Sequence, residues 1–116
     1  MFPLDLIRSP LLASCPERVC AACGTPWERT RTRVLGRLAV CGELQARCGC
    51  AAATRPGLVF DPFLGAGTVA IAAEAHDRDW LGIELNPEFA RLAEQRVAQA
   101  REQRSNDAFA CAVEAA

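Results

Sequence analysis

Apolar positions in the second half of the chain alternate between strand-like and helix-like patterns. Residues 58–60 are a short apolar run, and a glycine-containing turn follows at 64–67, an order typical of a strand and a tight turn. Residues 69–75 are apolar on nearly every side and predict a buried helix, with Thr68 placed to cap its N-terminus. Residues 80–85 predict a second buried strand.

A second helix is predicted after this strand, with Pro87 in its first turn. The stripe along one side of that helix consists of Phe89, Leu92, Ala93, Arg96 and Val97. Residues 105–116 show no pattern and are predicted to be a frayed tail. The order strand, helix, strand, helix predicts that 58–104 form one right-handed βαβ unit with a covering helix.

The first half of the chain divides into two segments. Helical spacing within residues 1–14 predicts a short helix, although Pro10 limits its regularity; the apolar residues are Leu4, Ile7, Leu11 and Leu12. Residues 15–57 hold six of the seven cysteines and three of the seven prolines, and lack a sustained period. This segment is therefore predicted to be rich in loops and to need a cross-link.

The composition indicates a small globular protein. The chain has 116 residues, of which 51% are hydrophobic and 23% charged, values typical of one folded domain. No apolar run approaches the roughly 20 residues that cross a bilayer, and no basic leader follows Met1. We therefore expect a soluble cytoplasmic protein without a membrane partner.

Charge is distributed unevenly, although the net charge is only −1. Residues 1–57 contain eight arginines and four acidic residues, a net charge of +4, whereas residues 58–116 contain five arginines and ten acidic residues, a net charge of −5. The first half is thus the better candidate to face a phosphate backbone. A solvated arginine-rich loop is an equally open interpretation.

The turn after the first predicted strand is a candidate cofactor site. Gly65 and Gly67 permit close backbone approach, and the helix that follows offers free N–H groups. Glu84 ends the next strand, 23 residues after Asp61, where a carboxylate can accept hydrogen bonds from a ribose. A dinucleotide fold fits poorly because the third glycine of that motif is missing.

Residues 61–68 and 82–88 resemble the signature of DNA methyltransferases that act on the exocyclic amino group of adenine or cytosine, in the branch whose catalytic half comes first. The resemblance implies a partial Rossmann-like α/β fold (βαβα) that binds S-adenosylmethionine. Phe2 and Pro3 are similar to a short segment of that family that lines the cofactor pocket. The other residues that the resemblance assigns to the cofactor are Asp61, Pro62, Phe63, Gly65, Gly67 and Thr68 in the loop and Glu84 at the ribose.

Two cysteine pairs form a candidate metal site: Cys20 with Cys23, and Cys48 with Cys50. Four thiolates can hold one structural zinc ion in a tetrahedral site. The second pair is spaced by one residue rather than two, so Cys15 or Cys41 could replace one of its members. Similar knuckles occur as inserts in members of the methyltransferase family, which implies a zinc-ribbon-like insert. Free thiols are an open alternative, and disulfides are disfavoured without a leader peptide.

The resemblance implies a catalytic Asp, Asn or Ser followed by Pro-Pro and an aromatic residue, but the chain contains no Pro-Pro. We therefore assign no catalytic residue, and we expect the chain to be the S-adenosylmethionine-binding portion of an enzyme whose complete form methylates double-stranded DNA. A separate catalytic half is one expected partner. A zinc-stapled nucleic-acid-binding module and an inactive remnant are the alternatives. His76, the single histidine, is expected to be a surface residue.

Overall fold

The computed structural model describes residues 2–114 and shows a mixed α/β chain. Met1, residues 115–116 and the side chains of Val40, Cys41, Val113 and Glu114 lie outside the described part. The elements, in chain order, are α1 (Leu4–Ser14), β1 (Arg18–Cys20), β2 (Glu28–Val34), β3 (Arg37–Gln45), β4 (Thr54–Pro56), β5 (Leu58–Asp61), α2 (Thr68–Ala75), β6 (Asp79–Gly82) and α3 (Pro87–Glu114).

The strand–helix–strand order predicted for the second half is confirmed. β5 and β6 pair in parallel, from Leu58 opposite Asp79 to Asp61 opposite Gly82, and α2 connects them. Parallel neighbours need such a crossover connection, because a hairpin can join only antiparallel strands. The glycine turn therefore lies at the carboxyl end of β5.

The small core of this unit lies between α1, α2 and one face of the sheet. Leu11, Ala72 and Ala73 are buried together, and Ile7, Val59 and Trp80 pack against them. The prediction of fully buried strands is wrong for the other face, because successive side chains of a strand point to opposite sides and α1 and α2 cover only one. The apolar side chains on the uncovered face are Leu58, Phe60, Leu81 and Ile83, each 50–56% exposed.

The last helix is longer than the sequence predicted. α3 runs to Glu114, so residues 105–114 are helical rather than a frayed tail. No Gly or Pro follows Pro87 to stop the helix, and the alanines at 108, 110 and 112 favour its continuation. The predicted cap of α2 is also wrong: Thr68 is its first residue, and Gly67, with φ 80°, is the N-cap.

Residues 15–57 contain more regular structure than predicted. β1 pairs antiparallel with β4, and β2 with β3 in a longer hairpin. The hairpin strands are mostly exposed on both faces, so their sequence lacks the apolar alternation that marks a half-buried strand. Arg and Thr alternate along β2 instead. None of the helices within residues 2–114 is long and apolar enough to cross a membrane.

The turn of the β2–β3 hairpin places a leucine in a conformation that leucine disfavours. Leu35 and Gly36 have φ values of 49° and 76°, the φ pattern of a type I′ turn, which prefers Asn-Gly. We expect Leu35→Asn to stabilise the hairpin by about 0.5–1 kcal/mol, since asparagine tolerates positive φ. Amide hydrogen exchange over residues 28–45 would measure the gain. Leu35→Val is the control and should lower the protection of these amides. Equal protection in the wild type and both variants would contradict the conclusion that Leu35 strains the turn.

Candidate functional site

The glycine turn between β5 and α2 has a backbone that requires glycine. Gly65 and Gly67 have φ values of 55° and 80°, which favour residues without a Cβ. A Cβ on Gly67 would lie 3.0 Å from the Cβ of Ala93 and 3.1 Å from its Cα. Gly67 thus also allows the start of α2 to approach α3 closely.

Both carboxylate oxygens of Glu84 accept backbone hydrogen bonds, and one of these bonds comes from the glycine turn. Its Oε2 accepts a 2.8 Å hydrogen bond from the backbone N–H of Gly65, and its Oε1 accepts one of 2.8 Å from Asn86. Sequence reasoning assigned Glu84 to a ribose and missed these bonds, because a motif indicates a role without indicating a backbone partner. β6 ends at Gly82, so Glu84 lies two residues beyond the strand rather than at its end as predicted. Its carboxylate ties the segment after β6 to the glycine turn.

Two further side chains fix the turn. Asp61 accepts a 2.9 Å hydrogen bond from the backbone N–H of Phe63. Arg96 of α3, which the sequence placed in a largely apolar stripe, donates from Nη1 to the carbonyl oxygen of Ala66 at 2.5 Å. Arg96 is a residue that sequence reasoning missed at this site, and its lone charge on the stripe was the signal.

A cavity of about 310 Å³ lies beside the turn, within the range of roughly 300–1,000 Å³ usual for small-molecule sites. It brings together four residues predicted from the sequence with four that were not; its lining is Phe2, Phe63, Leu64, Gly65, Ala66, Thr68, Phe89 and Leu92. Pro3, Asp61, Pro62, Gly67 and Glu84 do not line it, although Asp61 and Glu84 bond to residues that do.

Larger clefts, of about 380 to 740 Å³, lie elsewhere on the surface, and the two largest among them measure about 690 and 740 Å³. Ion-paired side chains occupy their walls: Glu74 with Arg101 in one, and Glu17 with Arg29 in the other. These charges already satisfy one another, whereas the cavity of about 310 Å³ has largely apolar walls and is lined by four residues assigned to the cofactor. We therefore regard it as the candidate ligand site.

The second predicted site also comes together in space. The sulfur atoms of Cys20, Cys23, Cys48 and Cys50 all lie within 4.8 Å of one another. Sulfurs around a tetrahedral zinc ion stand about 3.8 Å apart at Zn–S distances of about 2.3 Å, so small shifts would complete the geometry. Cys15 is buried but does not belong to this group.

Backbone hydrogen bonds shape the knuckle that presents the first cysteine pair. The N–H of Gly24 donates to the carbonyl oxygen of Cys20 at 2.9 Å. The N–H of Cys20 donates to the carbonyl oxygen of Thr25, also at 2.9 Å. Gly24 has a φ of 75°, a backbone conformation that favours glycine. The turn therefore requires a glycine directly after the second cysteine. The N–H of Ala21 bonds to Ala53 at 2.8 Å, which ties the knuckle to the segment after Cys50.

The four thiols influence one another's ionisation. Hydrogen bonding with the side chain and then the backbone of Thr25 lowers the pKa of Cys23 to about 6. Hydrogen bonding with Cys23 and Cys48, followed by their charge, raises the pKa of Cys50 to about 12. The sulfurs thus compete for negative charge, a competition that a divalent cation relieves.

Comparison with known proteins identifies the segment that carries the glycine turn. Residues 50–95 match the model of a family described as DNA methylase. No solved structure matches the chain.

Curated relatives include two type II methyltransferases. M.SmaI of Serratia marcescens is 44% identical over 64 residues, which are 54% of this chain and 22% of that protein. M.Cfr9I of Citrobacter freundii is 49% identical over 47 residues, which are 40% of this chain and 16% of that protein. The chain thus spans about a fifth of these relatives or less. Residues 50–95, which include the glycine turn and Glu84, are thus similar to DNA methylases.

Proposed function

We propose that the chain is the S-adenosylmethionine-binding portion of a DNA methyltransferase that acts on the exocyclic amino group of adenine or cytosine. One observation carries the proposal. Four of the nine residues that the sequence assigned to this cofactor, Phe2, Phe63, Gly65 and Thr68, converge on one cavity beside a turn to which Glu84 bonds. A Rossmann-like arrangement of β5, α2, β6 and α3 is part of the same proposal.

The residues around the cavity suit this ligand. Each Glu84 oxygen accepts one backbone hydrogen bond, which leaves lone pairs that can accept ribose hydroxyls. The aromatic rings of Phe2, Phe63 and Phe89 provide apolar surface for an adenine ring. When bound, S-adenosylmethionine supplies the methyl group; the chain's own residues bind and orient it.

We also propose one structural zinc ion, held by Cys20, Cys23, Cys48 and Cys50. All four ligands come from the protein, which is typical of a closed structural site rather than a catalytic one with an open position. Support comes from the convergence of the four sulfurs and the hydrogen-bonded knuckle.

Isothermal titration with S-adenosylmethionine tests the cofactor proposal. Glu84→Gln removes the charge and presents an amide N–H₂ to one of the two backbone N–H groups, so we expect affinity to fall about tenfold to a hundredfold, the worth of one charged hydrogen bond. Glu88→Gln makes the same chemical change four residues later, at an exposed position, and should bind like the wild type. Circular dichroism establishes that each variant is folded.

Equal affinity in both variants would remove Glu84 from the site. Folded wild-type chain that binds neither S-adenosylmethionine nor its demethylated product would overturn the proposed function.

A further inference from the structure

The β2–β3 hairpin carries arginines that the rest of the chain does not neutralise. Between residues 28 and 47 lie five arginines and two glutamates, a net charge of +3. Within residues 2–114, Arg31, Arg33 and Arg37 form no ion pair. Their free charge therefore faces solvent.

The remaining two arginines of this segment have structural partners. Arg29 donates from Nε and Nη2 to the two carboxylate oxygens of Glu17, at 3.1 and 2.7 Å, and from Nη1 to the carbonyl of Gly42 at 2.7 Å. Arg47 pairs with Glu28 at 3.2 Å. Both pairs lie near the base of the hairpin, so they fix its base while the outer arginines remain available.

The register groups the free charges at the outer end. Arg31 and Arg33 are two residues apart and share one face of the ribbon, with Arg33 opposite Leu38. Arg37 lies opposite Val34, next to the turn, and therefore on the other face of the ribbon. At the tip, Leu35 is 98% exposed. The hairpin lies outside the matched segment 50–95, so the comparison with the family model gives it no role.

We propose that the outer half of the β2–β3 hairpin binds the phosphate backbone of duplex DNA through Arg31, Arg33 and Arg37. A guanidinium group forms paired hydrogen bonds with phosphate, and the major groove, about 12 Å wide, admits a two-stranded ribbon. The choice of DNA among anionic partners rests on the proposed function. The contact itself is independent of the methyl-donor cavity.

Fluorescence anisotropy with a labelled duplex of mixed sequence tests the proposal in the absence of cofactor. Arg31→Gln with Arg33→Gln should weaken binding at least tenfold at low salt. It should also reduce the slope of log K against log salt concentration by about 1.8, since each phosphate contact contributes about 0.9.

The matched control is Arg8→Gln with Arg91→Gln. Arg8 and Arg91 are exposed on α1 and α3 and form no ion pair among the described residues, so this pair changes the net charge equally. The control should bind DNA within about threefold of the wild type, as expected for charges that touch no phosphate.

Equal losses of DNA affinity in both double variants would assign binding to overall charge and overturn the proposal. A wild-type chain that binds vesicles of phosphatidylglycerol but not the duplex would overturn it as well. Arg37→Gln, on the other strand, provides an independent reading if the double variant misfolds. Titration of the same samples with S-adenosylmethionine separates the two proposals. A chain that binds the cofactor but not DNA overturns this inference and leaves the proposed function standing.

Discussion

Replacing Cys20 and Cys23 together by serine, or extracting zinc with a chelator, is expected to unfold residues 15–57. Within the described chain, the buried hydrophobic residues of this segment are only Cys15, Val19 and Cys20. Structural zinc sites bind with apparent free energies of about 10–16 kcal/mol near neutral pH. An element with so little core has no comparable source of stability, so we expect its fold to depend on the proposed metal.

The positions of the two cysteine pairs explain why we expect the β2–β3 hairpin to unfold together with the metal site. Cys23 and Cys48 flank the whole of β2 and β3, so a metal between them closes the base of the hairpin. Loss of the metal frees this loop and restores its conformational entropy. We expect the amides of residues 18–56 to lose dispersion in NMR spectra and their protection from hydrogen exchange.

Elemental analysis provides the primary measurement, with one zinc per chain expected for the wild type. Cys111→Ser makes the same chemical change at an exposed position on α3 and should keep both metal and fold. Zinc retained at one per chain after the double substitution would reject this set of ligands. A wild-type chain in which residues 15–57 are folded without metal would contradict the expected dependence of this fold on zinc.

The two halves of the chain differ in how much the sequence could predict. The glycine turn was predictable because Gly65 and Gly67 specify a backbone conformation, and β5, α2 and β6 were predictable because their apolar periods differ. The hairpin was not predictable from periodicity, since Arg and Thr alternate on a ribbon exposed on both faces. The continuation of α3 through residues 105–114 was missed because these residues show no apolar period, although no Gly or Pro stops the helix there.

At the candidate sites, the sequence predicted which residues meet better than how they bond. The sulfurs of the four cysteines lie within 4.8 Å of one another, and four of the nine residues assigned to the cofactor line one cavity; their roles in binding a metal and a cofactor stay predictions. The bonds of Glu84 to Gly65 and Asn86, and that of Arg96 to Ala66, depend on the approach of separate elements. Such contacts arise from tertiary packing, which local patterns do not encode.

The chain alone is expected to transfer no methyl group to DNA. Flipping and orienting a target base requires a pocket with polar groups and a stacking aromatic residue, and the sequence lacks the Pro-Pro motif that its resemblance implies for this task. In the part of the chain that the structure describes, the parallel sheet has only two strands, β5 and β6. Its uncovered apolar face provides a surface on which further structure could dock.

A radiolabelled methyl-transfer assay on DNA of mixed sequence tests this expectation, with the chain alone and with a separately expressed remainder of M.SmaI. We expect activity only in the mixture, and we expect Phe60→Glu to abolish it, because a charge on the uncovered sheet face opposes burial. Phe109→Glu, on an exposed part of α3, is the control and should retain activity. Transfer by the purified chain alone would show that the catalytic groups are present after all. Absence of transfer in both samples would favour an inactive remnant over a split enzyme.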